Sequence, residues 1–232
     1  MTTPPLNSFD PCNLVCLAPL RVESWAVATG IAKACSGGTA RVLRTGAGAR
    51  RSTKAARTIL DALARLPTRP GRHAPAAVLT GVAGGLYPGL VAGELVVADT
   101  VIGPDGSALA VDLAAAVGVA DALRAARLPV RLAPVATAPR LVLGSEPRAA
   151  LTAATGAAVV DLESSIMAGL SWPGPFVVVR AVVDTPDAEL LSAGTAIAGI
   201  AALRSLRRAA PAIAAWADAH RARSLSSTPY PV

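Results

Sequence analysis

Carboxylates placed after predicted strands are the residues of this chain best suited to chemistry. Four of them follow three strands: Glu23 the first, Asp161 and Glu163 a later one, and Asp184 the last. Carboxylates that share a pocket can transfer protons and accept hydrogen bonds from hydroxyl groups. Taken singly, Glu23 and Glu163 could instead stabilise the first turn of a helix, and Asp184 could start a turn. Together they favour general acid–base chemistry at one site.

Glycine-rich segments follow two further predicted strands and could bring backbone N–H groups close to a small molecule. Residues 45–48 (TGAG) follow the second strand, and residues 81–85 (GVAGG) lie between two apolar runs, 76–80 and 94–98. Glycine has no Cβ atom and readily adopts positive φ, which allows such an approach. The spacing of the second segment predicts two buried strands with a glycine turn between them. A tight turn that binds no ligand is the alternative.

Strands and helices alternate along the chain. Predicted strands cover 14–18, 41–44, 76–80, 94–98, 130–135, 157–160 and 176–183. Predicted helices cover 22–34, 52–66, 111–126, 146–155 with Gly156 as its C-cap, 162–170, and 196–223 with a break at Pro211. This alternation predicts an α/β fold with a central, largely parallel sheet covered by helices on both faces. Ligands bind such sheets at the carboxyl ends of the strands, where the four carboxylates stand.

The composition predicts one folded domain. The chain has 232 residues, of which 53% are hydrophobic, and no linker-like stretch divides its middle. We expect residues 14–223 to form the domain, with a flexible N-terminus at 1–13 and a flexible C-terminal tail at 224–232. The longest apolar runs, 113–120 and 196–203, are much shorter than the roughly 20 residues needed to cross a bilayer. The N-terminal segment lacks the basic start of a signal peptide, so we expect a cytoplasmic protein.

A net charge of +7 makes nucleic acid a partner to consider. Aromatic residues make up only 3% of the chain, which leaves few side chains to stack on bases, and the arginines are scattered. We therefore expect no nucleic-acid partner. The densest basic stretch is a predicted surface helix that carries Arg204, Arg207, Arg208, Arg221 and Arg223. Its basic face could contact anionic lipid headgroups at a membrane surface, or it could simply be solvated.

The cysteines give no sign of a structural cross-link. Cys12, Cys16 and Cys35 are odd in number, and no cluster of histidine and cysteine lies near them. Neither a disulfide framework nor a zinc site is therefore expected. We expect reduced, mostly buried thiols and no bound metal ion.

Four ordered segments together resemble the purine nucleoside phosphorylase and nucleosidase superfamily. They are 80–86 (TGVAGGL), 93–99 (GELVVAD), 160–164 (VDLES) and 177–180 (VVVR), the last leading to Asp184. The order and spacing of these segments are similar to those of the superfamily's motifs, and the resemblance extends from Leu14 to about Leu206. The resemblance implies a single-domain, three-layer α/β fold of the phosphorylase/hydrolase type, with a twisted central mixed sheet flanked by helices. It also implies cleavage of the N-glycosidic bond between ribose and a base. We further expect a homodimer.

The resemblance assigns roles to the residues that match the superfamily's motifs. Asp184 matches the acid that protonates or hydrogen-bonds purine N7 as the base leaves. Glu163 matches the carboxylate that accepts hydrogen bonds from the ribose hydroxyls, a task suited to its two oxygens. Leu162 stands where nucleosidases carry a methionine packed under the sugar. The segments expected to lie against the base and ribose match Ala83, Gly84, Val160 and Asp161.

The attacking nucleophile has two alternative assignments, which depend on the alignment register after the first strand. In one register, Glu23 matches the glutamate that activates water in nucleosidases. In the other register, the residues that would hold phosphate, as in phosphorylases, are Arg21, Thr45, Gly46 and Gly48. Leu79 stands where phosphorylases carry a second phosphate-binding arginine, and this departure favours hydrolysis. Phosphate as a co-substrate is the alternative, and no other cofactor is expected.

Two further departures from the superfamily's pattern concern recognition of the base. Val183 stands where a serine is expected just before the acid. The aromatic residue expected to stack on the base aligns near Pro139 or Arg140, neither of which is aromatic. The resemblance therefore leaves the identity of the base open.

Three stretches, 149–165, 182–187 and 203–216, resemble more narrowly the hopanoid-associated phosphorylase-like branch of the superfamily. That branch acts on adenosylhopane and releases adenine. The resemblance thus implies an adenosine-type nucleoside with a lipophilic 5′ substituent, which suits so apolar a chain. The alternative substrates are 5′-methylthioadenosine, S-adenosylhomocysteine or a futalosine-like nucleoside. A nucleoside-binding protein without catalysis is the alternative from another class, although it would not need Asp184 as an acid.

Overall fold

The computed structural model describes residues 12–34, 40–65, 74–186 and 195–226. Within these residues, eight strands form one sheet: β1 (Leu14–Ala18), β2 (Ala40–Arg44), β3 (Ala76–Gly85), β4 (Leu95–Ile102), β5 (Ala108–Ala110), β6 (Val130–Thr137), β7 (Val159–Asp161) and β8 (Phe176–Asp184). In the same described ranges, six helices flank the sheet: α1 (Arg21–Ala34), α2 (Ala49–Ala64), α3 (Leu113–Ala125), α4 (Ser145–Thr155), α5 (Ser164–Ala168) and α6 (Thr195–Ser226). The arrangement is the single-domain α/β fold that the family resemblance implied.

The sheet is mixed and partly closed. Its strand order is β2-β1-β3-β7-β6-β4-β5, and β8 pairs with both β3 and β4. The strands β3, β8, β4, β6 and β7 thereby form a ring. Pairing is antiparallel between β3 and β7, β4 and β5, and β4 and β8. The sheet is therefore less parallel than the alternation of elements predicted, and the mixed sheet implied by the resemblance is confirmed.

Helices cover both faces of the sheet, as predicted. Helices α1, α3 and α6 pack on one face, and α2 and α5 pack on the other. Successive side chains of a strand point to opposite faces, so each buried strand supplies both cores. In β1, Leu14 and Cys16 join the core under α6, whereas Val15 and Leu17 join the core under α2. The apolar run of β1 is thus explained by burial on both of its faces.

The predicted glycine turn at 81–85 is wrong, because β3 continues through these residues to Gly85. The chain reverses later, between β3 and β4, where Gly89 and Gly93 have positive φ. The glycines at 81, 84 and 85 do not have positive φ. Pairing with β8 along most of its length keeps this part of β3 extended.

The glycines of β3 serve close packing instead of a turn. A Cβ atom at Gly81 would collide with Nη1 of Arg180 and would lie 3.0 Å from Oε1 of Glu23. A Cβ atom at Gly84 would lie 3.1 Å from Oδ1 of Asp184. The missing side chains therefore make room for charged groups rather than for a bend in the backbone.

Helix α6 is continuous from Thr195 to Ser226, so the predicted break at Pro211 is wrong. Proline lacks the N–H group that would bind the carbonyl oxygen four residues earlier, here that of Arg207. This carbonyl oxygen lies against Gly30 of α1, where a Cβ atom would collide with it. We attribute the continuity of α6 to this close packing of the two helices.

The ends of the chain fall partly outside the described residues. Residues 1–11 of the predicted flexible N-terminus and residues 227–232 of the predicted tail lie outside the described residues. Residues 224–226 of that tail continue α6. Cys12 and Cys16 are buried free thiols, and burial raises the pKa of both. Cys35 lies outside the described residues. In the part of the chain that the structure describes, every helix is too short or too polar to span a bilayer.

Candidate active site

A pocket of about 350 Å³ opens at the carboxyl ends of β1, β3, β7 and β8. It is lined by eight of the predicted site residues: Glu23, Ala83, Gly84, Val160, Asp161, Leu162, Glu163 and Asp184. The sheet brings these distant segments together because its strands end near one another at one edge. All four carboxylates are buried, so their charges are held in surroundings of low polarity.

Glu23 enters this pocket from the first turn of α1. Its carboxylate accepts hydrogen bonds from the backbone N–H groups of Leu20, at 2.6 Å, and Val82, at 2.8 Å. Burial raises the pKa of Glu23, the two N–H groups and Arg180 partly oppose this, and the carboxylate of Glu163 adds to it. A carboxylate with a raised pKa is a stronger base, which suits the activation of a water molecule.

Arg180 of β8 is completely buried and forms ion pairs with two of the carboxylates. Its Nε and Nη2 atoms lie 2.6 Å from Oδ2 of Asp161, and Nη2 lies 3.6 Å from Oε2 of Glu163. Asp161 also accepts a hydrogen bond from the hydroxyl group of Ser164. Burial alone would lower the pKa of Arg180, but Asp161, Glu163 and Glu23 raise it overall. Such partners are required because desolvating a buried charge costs on the order of several kcal/mol.

Glu163 stands at the N-terminus of α5 and is buried. Its Oε1 atom accepts a hydrogen bond of 2.8 Å from the backbone N–H of Gly48. Burial raises the pKa of Glu163, and Arg180 opposes this. A carboxylate has more lone pairs than these contacts use, so it could still accept hydrogen bonds from ribose hydroxyls. Leu162, immediately before it, gives the pocket an apolar wall.

Asp184 ends β8 at a β-bulge. Gly84 of β3 pairs with Asp184, whereas the preceding Ala83 pairs with Val182, so that Val183 is the extra residue of β8. A bulge changes the direction in which the following side chains point. Both Val183 and Asp184 line the pocket as a result.

Arg148 of α4 forms a buried ion pair with Asp184, which the sequence did not predict. Nη2 of Arg148 donates to Oδ2 of Asp184, and Nη1 donates to the carbonyl oxygen of Gly85 at 2.9 Å. The signal in the sequence is weak, namely that Arg148 shares a helical face with Leu151 and Thr152, which are partly buried. An arginine in an alanine-rich helix is ordinarily solvated, and nothing local distinguishes this one.

A second, basic groove of about 1000 Å³ adjoins the pocket. Of the predicted phosphate-binding residues, Arg21, Thr45 and Gly46 line this groove. Its other charged side chains are those of Arg44, Arg51 and Lys54. The two cavities share Pro19, Leu20 and Ala47 as a common wall. Arg21, which was expected to hold phosphate, and Glu23, which was expected to activate water, therefore face different cavities.

The rim of the pocket is aliphatic. Leu141 and Leu143, in the loop between β6 and α4, are 61% and 42% exposed, and Leu20 after β1 is 40% exposed. Among the described residues, no aromatic side chain lines the pocket. Arg140, near which the superfamily's aromatic residue aligns, does line it. A lipophilic group could leave the pocket across these leucines without desolvating polar atoms.

The described residues include no group of three or more histidine, cysteine, aspartate or glutamate side chains placed to hold a metal ion. The pocket carboxylates instead contact arginines and backbone N–H groups. The pocket thus holds two buried carboxylates with raised pKa, Glu23 and Glu163, and an ion pair between Asp184 and Arg148. Groups of these kinds can serve general acid–base and electrostatic catalysis.

The solved structures that share this fold include several nucleosidases. The match to futalosine hydrolase of Helicobacter pylori strain 26695 covers 90% of this chain and 98% of that one, with 15% identity and a TM-score of 0.67. A 5′-methylthioadenosine/S-adenosyl homocysteine nucleosidase of Campylobacter jejuni matches over 87% of this chain and 98% of its own, with 14% identity and a TM-score of 0.68. An S-adenosylhomocysteine nucleosidase of Streptococcus pyogenes, in complex with 5-methylthiotubericidin, matches over 88% of this chain and 94% of its own, with 17% identity and a TM-score of 0.66. No protein-family model and no curated protein matches the chain.

Proposed function

We propose that the chain is a nucleosidase that hydrolyses the N-glycosidic bond of an adenosine-type nucleoside and releases adenine. The observation that carries this proposal is that Glu23, Glu163 and Asp184, from three separate segments, line one pocket. A protein that only bound the nucleoside would need neither a buried base nor a group that assists the leaving base. The nucleosidase fold of the solved neighbours supports the same conclusion.

The proposed reaction assigns one task to each carboxylate. The bond between C1′ of ribose and the base breaks, and its electron pair goes to the base. Glu23 takes a proton from a water molecule, whose oxygen bonds to C1′. Glu163 accepts hydrogen bonds from the ribose hydroxyls, and the pair of Asp184 and Arg148 stabilises the departing base. The products are the ribose, still carrying its 5′ substituent, and neutral adenine, which has gained one proton in exchange for the one that the water gave up.

Hydrolysis is favoured over phosphorolysis by the charges of the pocket. Glu23 and Glu163 would repel a phosphate placed under the ribose. Arg21 lines the neighbouring groove, and Leu79 is buried in the core under α2. Phosphorolysis with phosphate as co-substrate is the alternative, and it would have to draw on the basic groove.

A lipophilic 5′ substituent is supported by the exposed leucines at the rim of the pocket. We propose adenosylhopane, an intermediate of hopanoid biosynthesis, as the substrate. The alternatives are 5′-methylthioadenosine, S-adenosylhomocysteine and a futalosine-like nucleoside, which are the substrates named for the solved neighbours. All of them share a purine ribonucleoside half that the pocket would bind, and they differ in the 5′ substituent that would pass across the rim.

We further propose that the protein is a cytoplasmic homodimer. Val22 and Trp25 of α1 are 53% and 64% exposed, and exposed apolar side chains of this kind are often buried between subunits. Arg204 and Arg208 of α6 are exposed and could touch anionic lipid headgroups, whereas Arg221 binds Asn13. Light scattering tests the dimer, and sedimentation with anionic vesicles tests the membrane contact.

Release of free adenine from a panel of adenosine derivatives tests the proposed function. The panel contains adenosine, 5′-methylthioadenosine, S-adenosylhomocysteine and an adenosine with a long 5′ alkyl chain, each with and without phosphate. We expect release without phosphate, at the highest rate for the alkyl derivative. Tight binding of these compounds without release would show instead a nucleoside-binding protein. Release that requires phosphate would show a phosphorylase.

A further inference from the structure

The guanidinium of Arg148 is buried at the wall of the candidate pocket with part of its donor capacity unused. It is 1% exposed, and its two terminal nitrogens bind Asp184 and the carbonyl oxygen of Gly85. Its Nε atom is also buried and has no hydrogen-bond partner among the described residues. Buried N–H groups of native proteins are nearly always hydrogen-bonded, and an exception at a pocket wall calls for a ligand atom that accepts the bond. Arg148 also lines the pocket, so a ligand bound there would lie against its side chain.

The pair of Arg148 and Asp184 presents complementary groups side by side. Arginine has donors only and stays charged at all ordinary pH values, whereas an ionised aspartate has acceptors only. The edge of adenine away from the sugar carries an acceptor, N7, next to a donor, the N6 amino group. Hypoxanthine and guanine carry two acceptors on the same edge, N7 and O6. The arginine and the aspartate therefore match adenine, and the aspartate would repel O6 of a 6-oxopurine.

We propose that Arg148 donates a hydrogen bond to N7 of the adenine base while Asp184 accepts one from the N6 amino group. This inference rests on the proposed function and deepens it, because it makes Arg148 the residue that selects the base. The family resemblance assigned N7 to Asp184. The ion pair reassigns N7 to Arg148, since Oδ2 of Asp184 is already bound to a guanidinium.

The reassignment changes how the base leaves. When the bond to C1′ breaks, the electron pair moves to the base and negative charge spreads to N7. A guanidinium hydrogen-bonded to N7 stabilises this charge without giving up a proton. The departed base then takes its proton from solvent water, and Glu23 returns to solvent the proton that it took from the attacking water. Atoms and charges balance with water as the only co-reactant.

The binding of adenine and 7-deazaadenine tests the inference, because the two ligands differ only at N7 and neither can be cleaved. Calorimetry on the full-length protein should show that adenine binds about tenfold tighter or more, as expected for a hydrogen bond to a charged donor. In Arg148→Met the two ligands should bind equally. The control is Arg131→Met, which breaks a more exposed ion pair with Glu94 outside the pocket and should leave the tenfold ratio intact. Hypoxanthine should bind more weakly than adenine to the unaltered protein.

A second measurement needs no variant, because Arg148→Met could fail to fold with Asp184 left buried and unpaired. The ratio of the two affinities is measured on the unaltered protein at about pH 6 and about pH 8.5. Arginine keeps its protons over this range, so the ratio should not change. The pocket is also lined by the charged residues Glu23, Arg140, Asp161 and Glu163. They face both ligands alike, so their effects on binding cancel from the ratio of the two affinities.

The outcomes separate this inference from the proposed function. A ratio that falls toward one at the higher pH would show a carboxylic acid as the donor to N7 and would overturn the inference. An unchanged ratio in folded Arg148→Met would overturn it as well. Equal binding of adenine and 7-deazaadenine to the unaltered protein, together with adenine release from nucleosides, would overturn the inference alone. Binding of neither base, with no release from any nucleoside, would overturn both.

Discussion

The backbone N–H of Gly48 donates a hydrogen bond of 2.8 Å to Oε1 of Glu163, although 115 residues separate the two. This contact joins the residue expected to hold the ribose to the turn considered for phosphate. An N–H group that is bound to a carboxylate is not free to bind an anion, and the carboxylate itself would repel one. The contact thus favours water over phosphate as the nucleophile.

The first prediction concerns this choice. Glu23→Gln should reduce adenine release by about 100- to 10,000-fold, because the variant has lost the base that activates water. Arg21→Ala should have little effect, since Arg21 faces the neighbouring groove. Identification of the sugar product made in excess phosphate completes the measurement. A free reducing sugar is expected, and a ribose 1-phosphate ester would show that phosphate attacks.

The second prediction concerns the leaving base. Asp184→Asn should lower the rate of base release by about 100-fold or more while nucleoside binding survives. The amide can still form hydrogen bonds, but it lacks the negative charge that orients Arg148. Single-turnover rates and binding constants measured on the same variant separate the two effects. Unchanged turnover would remove Asp184 from the mechanism.

The third prediction concerns the ribose. Glu163→Gln should weaken both binding and turnover, by about tenfold or more, because a hydrogen bond from a hydroxyl to a charged acceptor is lost. A 2′-deoxynucleoside should lose much less on the same substitution, since it lacks one of the two hydroxyls. Competition binding with the matched pair of nucleosides gives the comparison. Equal losses for the pair would mean that Glu163 supports the fold through Gly48 and does not contact the sugar.

The fourth prediction concerns pH. Burial raises the pKa of Glu23 above its ordinary value of 4.5, and a general base acts only in its ionised form. The value of kcat/KM should therefore fall as the pH drops through this raised pKa, so that the acidic limb of the profile lies above pH 4.5. Replacing Glu163 with Gln removes one carboxylate that raises this pKa and should move the limb to lower pH. A profile that stays flat down to the ordinary value would exclude Glu23 as the base.

The fifth prediction concerns the glycines of β3. Gly81→Ala should destabilise the protein by about 1–3 kcal/mol, because the added Cβ atom collides with buried Arg180. It should also reduce activity, since Glu23 lies beside the same position. The control is Gly199→Ala in α6, where nothing lies within 4 Å and the substitution should stabilise the helix by about 0.5–1 kcal/mol. Denaturant unfolding of both variants tests the pair, and equal stabilities would contradict the packing argument.

Much of the fold follows from patterns within short windows of sequence. The apolar run 14–18 predicted β1, and the periodic apolar side chains around Ile59 and Leu63 predicted α2. Gly156 was predicted as a C-cap and adopts the left-handed conformation there, with φ of 65°. The short strand β5 was not predicted, because three residues at the edge of a sheet carry too little pattern. These features depend on the residues themselves and their immediate neighbours.

The sequence by itself also determined which residues could form the site, because charged and glycine residues after strands are visible without the fold. Only the tertiary structure decided how they combine. Gly81 lies in a strand because β8 pairs beside it, and Pro211 stays within a helix because α1 packs against that turn. Arg148 binds Asp184, which lies 36 residues later in the sequence, and no local preference of α4 indicates that pairing. Burial away from water makes such partners obligatory, and burial is a property of the folded chain rather than of any segment.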